Sequence, residues 1–304
     1  MTARVAGPLP LRLLPDTATV DARGRLSIGG CDLIDLAEQH GTPLFVYDEA
    51  HLRARCREAA AAFPDGAAYA TKAFLCLAMA RLAHEEGMQL DVATAGELHV
   101  ALAAGVPGHR LVLHGNNKSI AELCAAVDAR VGRIVVDSFD ELDRLDAVHA
   151  RTGIRPAVLL RVTPGIEAHT HEYIATGHDD SKFGFTVSSG MATDAVARAA
   201  ASPAVELVGI HAHIGSQVFR LDSFARSVEV LAAFSTPYAL HELSIGGGLG
   251  VAYVEGESAP TIGEWGNAVR DACRVAGITA RITAEPGRSI VAAAAVTLYT
   301  VGTI

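Results

Sequence analysis

The chain has 304 residues, 34 acidic against 25 Lys and Arg, a formal net charge of -9, and half of its residues apolar. That is enough for one large domain or two ordinary ones, and the acidic balance excludes a general nucleic-acid binder, which carries a basic field. No uninterrupted apolar run approaches the ~18 residues of a membrane span, and Pro8, Pro10 and Pro15 break the opening where a secretory leader would carry its apolar core. Cys31, Cys56, Cys76, Cys124 and Cys273 include no C-x-x-C pair, so neither a disulfide scaffold nor a thiolate zinc site is expected, and a reducing cytoplasm fits best.

In chain order, residues 1–40 read as an irregular arm, a short strand and a helix over Ser27–His40 closed by Gly41. LFVYD at 44–48 is a strand, and Asp48 caps a helix running to Ala62. Eight strand-like runs follow, at 67–71, 90–94, 111–115, 133–138, 158–163, 207–215, 243–247 and 281–285. Helical stretches at 73–86, 96–104, 119–130, 139–150, 190–201, 223–235 and 264–276 separate them. The strands are continuous apolar runs, as parallel strands covered by helices are. The fold class is therefore α/β, with a (β/α)8 barrel the leading architecture and an open doubly wound sheet its rival. A polar insertion at 164–189 is rich in His and Gly, and loops of that length commonly carry function.

In such a barrel the chemistry sits at the C-terminal strand ends. Those ends carry Lys72, Asp91, His114, Asp137, Arg161, His211, His213, Ser216, Gly246, Gly247, Gly248, Glu285, Gly287 and Arg288. Lys72 lies between a small apolar strand and an apolar helix, which would desolvate it and favour a nucleophilic amine; a lysine snorkelling from a helix start reads the same way. Gly246-Gly247-Gly248 lets backbone amides approach an anion, or is only a turn. His213 could stack on a planar ring, and Ser216 could donate to phosphate. His211 and His213, with His169, His171 and His178 in the insertion, leave a metal site as the competing idea, but none is expected. Glu285 ends an apolar strand and needs a partner, which a protonated pyridine nitrogen would be; Arg288 could hold a carboxylate or phosphate. A lysine, a phosphate cradle, a stacking imidazole and a buried carboxylate together describe pyridoxal 5'-phosphate.

The motifs YATKAF, LDVATAGEL, LHGNNKS, HEYIATGHDDSKFGF, HAHIGSQ, SIGGGLG and AEPGRSI, spread over nearly the whole chain, resemble the diaminopimelate decarboxylase family. That family lies within the alanine racemase-like barrel group, with the ornithine and arginine decarboxylases. The resemblance implies that Lys72 is the Schiff-base lysine and His213 the histidine stacked on the pyridine ring, with Asp91 and Arg161 in support. It also implies that Ser216, Gly248 and Gly287 belong to the phosphate pocket, that Glu285 faces the pyridine nitrogen, and that Arg288 binds substrate carboxylate beside that pocket; Gly246 and Gly247 are expected to bind the cofactor as part of the triple glycine. Lys118 and Lys182 remain unassigned.

The resemblance further implies decarboxylation of meso-2,6-diaminopimelate to L-lysine, and homodimers that share active sites. Ornithine- or arginine-type decarboxylation, racemisation, and a pyridoxal-phosphate binder without activity are the alternatives. The expected division is an arm at 1–40, a cofactor-binding barrel at 41–288, and the start of a C-terminal β domain at 289–304. The family's Cys-Glu-Ser-Gly-Asp motif is absent and the sequence stops on the apolar LYTVGTI, so the expectation is a chain interrupted early in that β domain.

Overall fold

The computed structural model describes residues 10–166 and 182–304. In the arm, β1 (Thr19–Val20), β2 (Leu26–Ile28) and β3 (Cys31–Asp32) form a small antiparallel sheet. Helix α1 (Leu33–His40) starts six residues later than expected from Ser27, because Gly29 and Gly30 take positive φ (59° and 77°) and turn the chain into a hairpin first. Asp32 caps α1 by accepting from the amides of Ile34 and Asp35, and Arg25 grips the same carboxylate at 2.5 and 2.7 Å.

Strand β4 (Leu44–Tyr47) leads into α2 (Glu49–Ala62), whose N-cap is Asp48 as expected. One oxygen of Asp48 accepts from the amide of His51 at 3.2 Å, and the other accepts from Thr17 Oγ1 at 2.6 Å. A single carboxylate thus starts the helix and ties the arm to it. Burial raises its pKa, but these hydrogen bonds outweigh burial and hold it below the ordinary value. Asp48→Ala is expected to lower the unfolding free energy by about 2–3 kcal/mol, the sum of a lost cap and a lost hydrogen bond to a charged group. Urea denaturation reads this directly, and a loss of only a few tenths would contradict the double role.

The barrel follows as β5 (Ala68–Ala70), α3 (Leu77–Glu85), β6 (Gln89–Val92), α4 (Ala95–Ala103), β7 (Leu111–Leu113), α5 (Ile120–Asp128), β8 (Arg133–Val136), α6 (Phe139–Thr152) and β9 (Ala157–Thr163). It continues through β10 (Phe185–Thr186), α7 (Met191–Ala201), β11 (Glu206–His211), α8 (Leu221–Ser235), β12 (Glu242–Ser244), α9 (Ile262–Val275) and β13 (Arg281–Thr283). All these strands are parallel, and all but β10 are bonded in sequence order. The ring then closes, because Ala68 N–H donates to Ala284 O at 2.9 Å and Ala284 N–H donates to Gly66 O at 3.1 Å. This is the (β/α)8 barrel, and closure excludes the open sheet. Strand β10 lies within the expected insertion and pairs beside β9, Phe185 opposite Val162.

Alternation divides the apolar residues between two cores. Tyr69, Leu90, Leu113, Ile134 and Leu160 pack outward with helix residues such as Trp265, whereas Ala68, Val112, Val135 and Leu159 form a separate small cluster. The latter set, of opposite parity, fills the barrel interior. Strands end earlier than the apolar runs suggested, because Thr94 and Ser138 leave the ladder to cap α4 and α6.

After α10 (Arg288–Val291), β14 (Ala295–Leu298) pairs antiparallel with β4, Leu298 opposite Leu44. Strand β4 falls inside the stretch expected to build the barrel, yet its partner lies in 289–304. The physical reason is that β13 already closes onto β5, which leaves β4 no place in the ring.

Candidate active site

Parallel strands bring all their C-terminal ends to one end of the barrel. A cavity of about 590 Å³ opens there, lined among others by Lys72, Asp91, His213, Ser216, Glu285 and Arg288. Gly248 and Gly287 also line it, whereas Arg161, Gly246 and Gly247 do not.

Glu285, directly after β13, is buried and fully engaged. It accepts from His114 Nε2 at 3.1 Å, His211 Nε2 at 2.9 Å and Ser244 Oγ at 3.1 Å. Burial would raise its pKa, but the positive charge favoured on His114 and the hydrogen bonds of both imidazoles overcome burial and hold it well below the usual carboxylate range. Asp91, at the end of β6, moves the other way, pushed up first by burial and also by the nearby Glu285. His114 lies 3.7 Å from Asp91 and 3.1 Å from Glu285; burial opposes its charge, yet the two carboxylates raise its pKa.

His213 accepts from the amide of Gly247 through Nδ1 at 3.1 Å. That bond requires a bare Nδ1 and places the proton of the neutral ring on Nε2. Burial first, then the cations Lys72 and Arg161, hold its pKa well below the ordinary value. One amide of the triple glycine therefore orients the imidazole. The glycines are demanded by close backbone approach: a Cβ on Gly246 would lie 2.4 Å from Ala212 O, on Gly247 2.2 Å from Glu285 O, and on Gly248 2.1 Å from Gly215 O.

Lys72 occupies a 3-10 turn, Thr71–Ala73, and is exposed at the cavity wall. The expected desolvation is absent, because α3 begins at Leu77 and does not cover the residue. Thr71 anchors the turn by donating to Asp91 O at 2.8 Å. At the opposite wall, Arg288 donates to Ser216 Oγ at 3.2 Å and to Tyr253 Oη at 2.7 Å. Its Nε is buried with no hydrogen-bond partner among the described residues. Tyr253 had no sequence signal, since it stands in an irregular loop.

Arg161 is braced from behind, with Nε 3.7 Å from Asp137 Oδ1 and its guanidinium 4.3 Å from the Phe183 ring. Lys118 is structural: its buried ammonium donates to Gly115 O, Val135 O and Glu141 Oε1 at 2.7, 2.6 and 2.7 Å. Lys182 is exposed beside the same Phe183 ring, 5.2 Å from its centroid. His169, His171 and His178, and most of the HEYIATGHDDSKFGF motif, lie outside the described residues. The suggested metal pair separates: His211 joins His114 and Glu285, with ligand atoms within 4.8 Å of one another, while His213 faces Gly247.

The site fits pyridoxal phosphate on its own chemistry. One wall has an arginine with an orphaned buried N–H, a hydroxyl and glycines where a Cβ would collide. The other end has a carboxylate held anionic, and a primary amine stands at the rim. A phosphate, a ring nitrogen and an aldehyde would each find a complementary group there, in a cavity of the usual size for a cofactor.

Residues 49–292 match the family model described as pyridoxal-dependent decarboxylase, pyridoxal binding domain. Diaminopimelate decarboxylase of Mycobacterium tuberculosis is 47% identical over 307 residues, covering 95% of this chain and 69% of the relative. The Bacillus subtilis enzyme of that name is 42% identical, covering 95% of this chain and 70% of the relative. The crystal structure of diaminopimelate decarboxylase from M. jannaschii in complex with L-lysine superposes with a TM-score of 0.85 at 32% identity, covering 92% of this chain and 68% of that one. By barrel, site and sequence together, this chain belongs to the diaminopimelate decarboxylases, a family of pyridoxal-dependent carboxy-lyases.

Proposed function

We propose that the barrel end binds pyridoxal 5'-phosphate and that the chain decarboxylates meso-2,6-diaminopimelate to L-lysine and carbon dioxide. The observation that carries this reading is the convergence on one cavity of Lys72, the imidazole-paired Glu285 and the Arg288–Ser216 wall. When bound, pyridoxal phosphate supplies an electron sink for the charge left by a departing carboxylate. Lys72 would hold the cofactor through its amine, and that amine would take up and return a proton once substrate is bound. Glu285, kept anionic, would face the ring nitrogen and keep it protonated. His213, fixed by Gly247 and neutral, would offer its flat ring to a face of the cofactor. Arg288 and Ser216 hold phosphate or the substrate's second carboxylate, and Tyr253 keeps Arg288 turned to them. The bond to one α-carboxylate breaks, carbon dioxide leaves, and a proton takes its place on that carbon.

The partner is thus a small amino acid rather than nucleic acid or membrane, and among the described residues no helix is long and apolar enough to cross a bilayer. We also propose a homodimer, because Phe45 and Tyr253 at the cavity rim are 68% and 52% exposed and a second copy would shield them. A cytoplasmic setting suits five free cysteines, two of them exposed. The test is to supply pyridoxal phosphate and meso-diaminopimelate and measure both products. Carbon dioxide and L-lysine in equal amounts, with none released from ornithine or arginine, is the expected result. Cofactor absorbance without carbon dioxide would instead mark an inactive cofactor binder.

A further inference from the structure

Two buried histidines, His114 and His211, do not line the cavity yet both reach Glu285. They come from strands on different sides of the ring, β7 and β11, and meet at Glu285 after β13. Their rings pack edge to face, with centroids 5.0 Å apart at 71°, so neither can turn without displacing the other. Each uses Nε2 toward a different oxygen of the same carboxylate. We propose that His114 and His211 are positioning residues that clamp Glu285 from both sides, keeping it anionic and fixed at the cavity floor; this rests on the pyridoxal-phosphate reading above.

An ionised carboxylate can only accept, so both Nε2 atoms must carry protons. His211 Nδ1 is buried with no hydrogen-bond partner among the described residues, and burial disfavours a charged ring there, so His211 is neutral with its proton on Nε2. His114 faces a second carboxylate, Asp91, at 3.7 Å, and a cation between two anions satisfies both. Ser244, ending β12, supplies a third donor to Glu285. Without the imidazoles, burial would dominate and the carboxyl would hold its proton. A protonated carboxyl does not attract a pyridinium. The other ionisable groups facing the cluster are Lys72 after β5, Glu97 on α4, Arg161 on β9 and His213 after β11.

Two measurements test the clamp. Imidazole ¹⁵N spectra of the unmodified protein at neutral pH need no cofactor. His211 is expected neutral with its proton on Nε2, and His114 protonated on both nitrogens; an Nε2 without a proton on either ring overturns the proposal. The second is pyridoxal-phosphate affinity against pH. His114→Ala and His211→Ala are expected to move the acid limb upward by about one unit or more, a loss of about tenfold on the acid side, with little change in mildly alkaline solution. His211→Gln, which still offers an N–H, should hold the limb near its original place. An equal loss at every pH would mark a merely structural role and overturn the proposal. Should the alanine variants fail to fold, the spectra and the glutamine variant decide. Stoichiometric zinc retained through dialysis, and lost in His211→Ala, would overturn it in favour of a metal centre. No cofactor uptake at any pH, with the tautomers as expected, would refute the cofactor reading while supporting the clamp's geometry.

Discussion

Lys72→Ala is expected to abolish covalent capture of pyridoxal phosphate. After borohydride reduction no pyridoxyl adduct should remain on the peptide spanning residue 72, the visible absorbance of the bound cofactor should vanish, and decarboxylation should fall by about 10³-fold or more. The physical ground is that Lys72 carries the only primary amine among the residues lining the described cavity. Its turn is locked by Thr71 to the backbone of Asp91, so no neighbouring side chain can replace it without moving strand β5. Lys72→Arg keeps a positive charge at the rim but cannot condense with an aldehyde. It should fail equally, which separates the covalent role from an electrostatic one. An adduct surviving either substitution would overturn the assignment.

Lys118→Met is expected to destabilise the fold by about 3–5 kcal/mol, the cost of stranding a buried charge. The ammonium satisfies two carbonyls and Glu141 at 2.6–2.7 Å, and the side chains of Lys118 and Glu141 are 2% and 4% exposed. Burial pushes the Glu141 carboxyl up even with Lys118 beside it, so loss of the cation leaves a carboxyl that must take a proton or remain uncompensated. The double variant Lys118→Met/Glu141→Leu should cost less than the single one, because it removes both charges together. Chemical denaturation of the four members of the cycle measures the difference. A double variant as unstable as the sum of the singles would show that the pair does not act as a unit.

These residues also separate what can be read along a chain from what cannot. Eight apolar runs divided by capped helices were enough to anticipate the barrel, because strand burial and helix capping leave local patterns; Ser119 and Glu122, for instance, form a capping box at α5. The strand ends likewise marked Lys72, Asp91, His213, Glu285 and Arg288, all of which line the cavity. Lys118 shows the limit, since it stands among strand-end residues and yet points into a buried ion pair. Tyr253 shows the converse: a loop residue joined to Arg288, 35 positions away, by a contact that no periodicity encodes.

The sequence by itself determined the repeating βα units, the parallel sheet and the stock of reactive groups at one end, because each follows from residue type and spacing within a few neighbours. The tertiary structure decided which of those groups meet. Closure of β13 onto β5 brings Glu285 within reach of His114, 171 residues earlier, and so lets two imidazoles settle its charge. It also sent β4 to pair with β14. Such contacts depend on ring closure and on the direction of each side chain at the strand ends, which are properties of the assembled barrel and of no single segment.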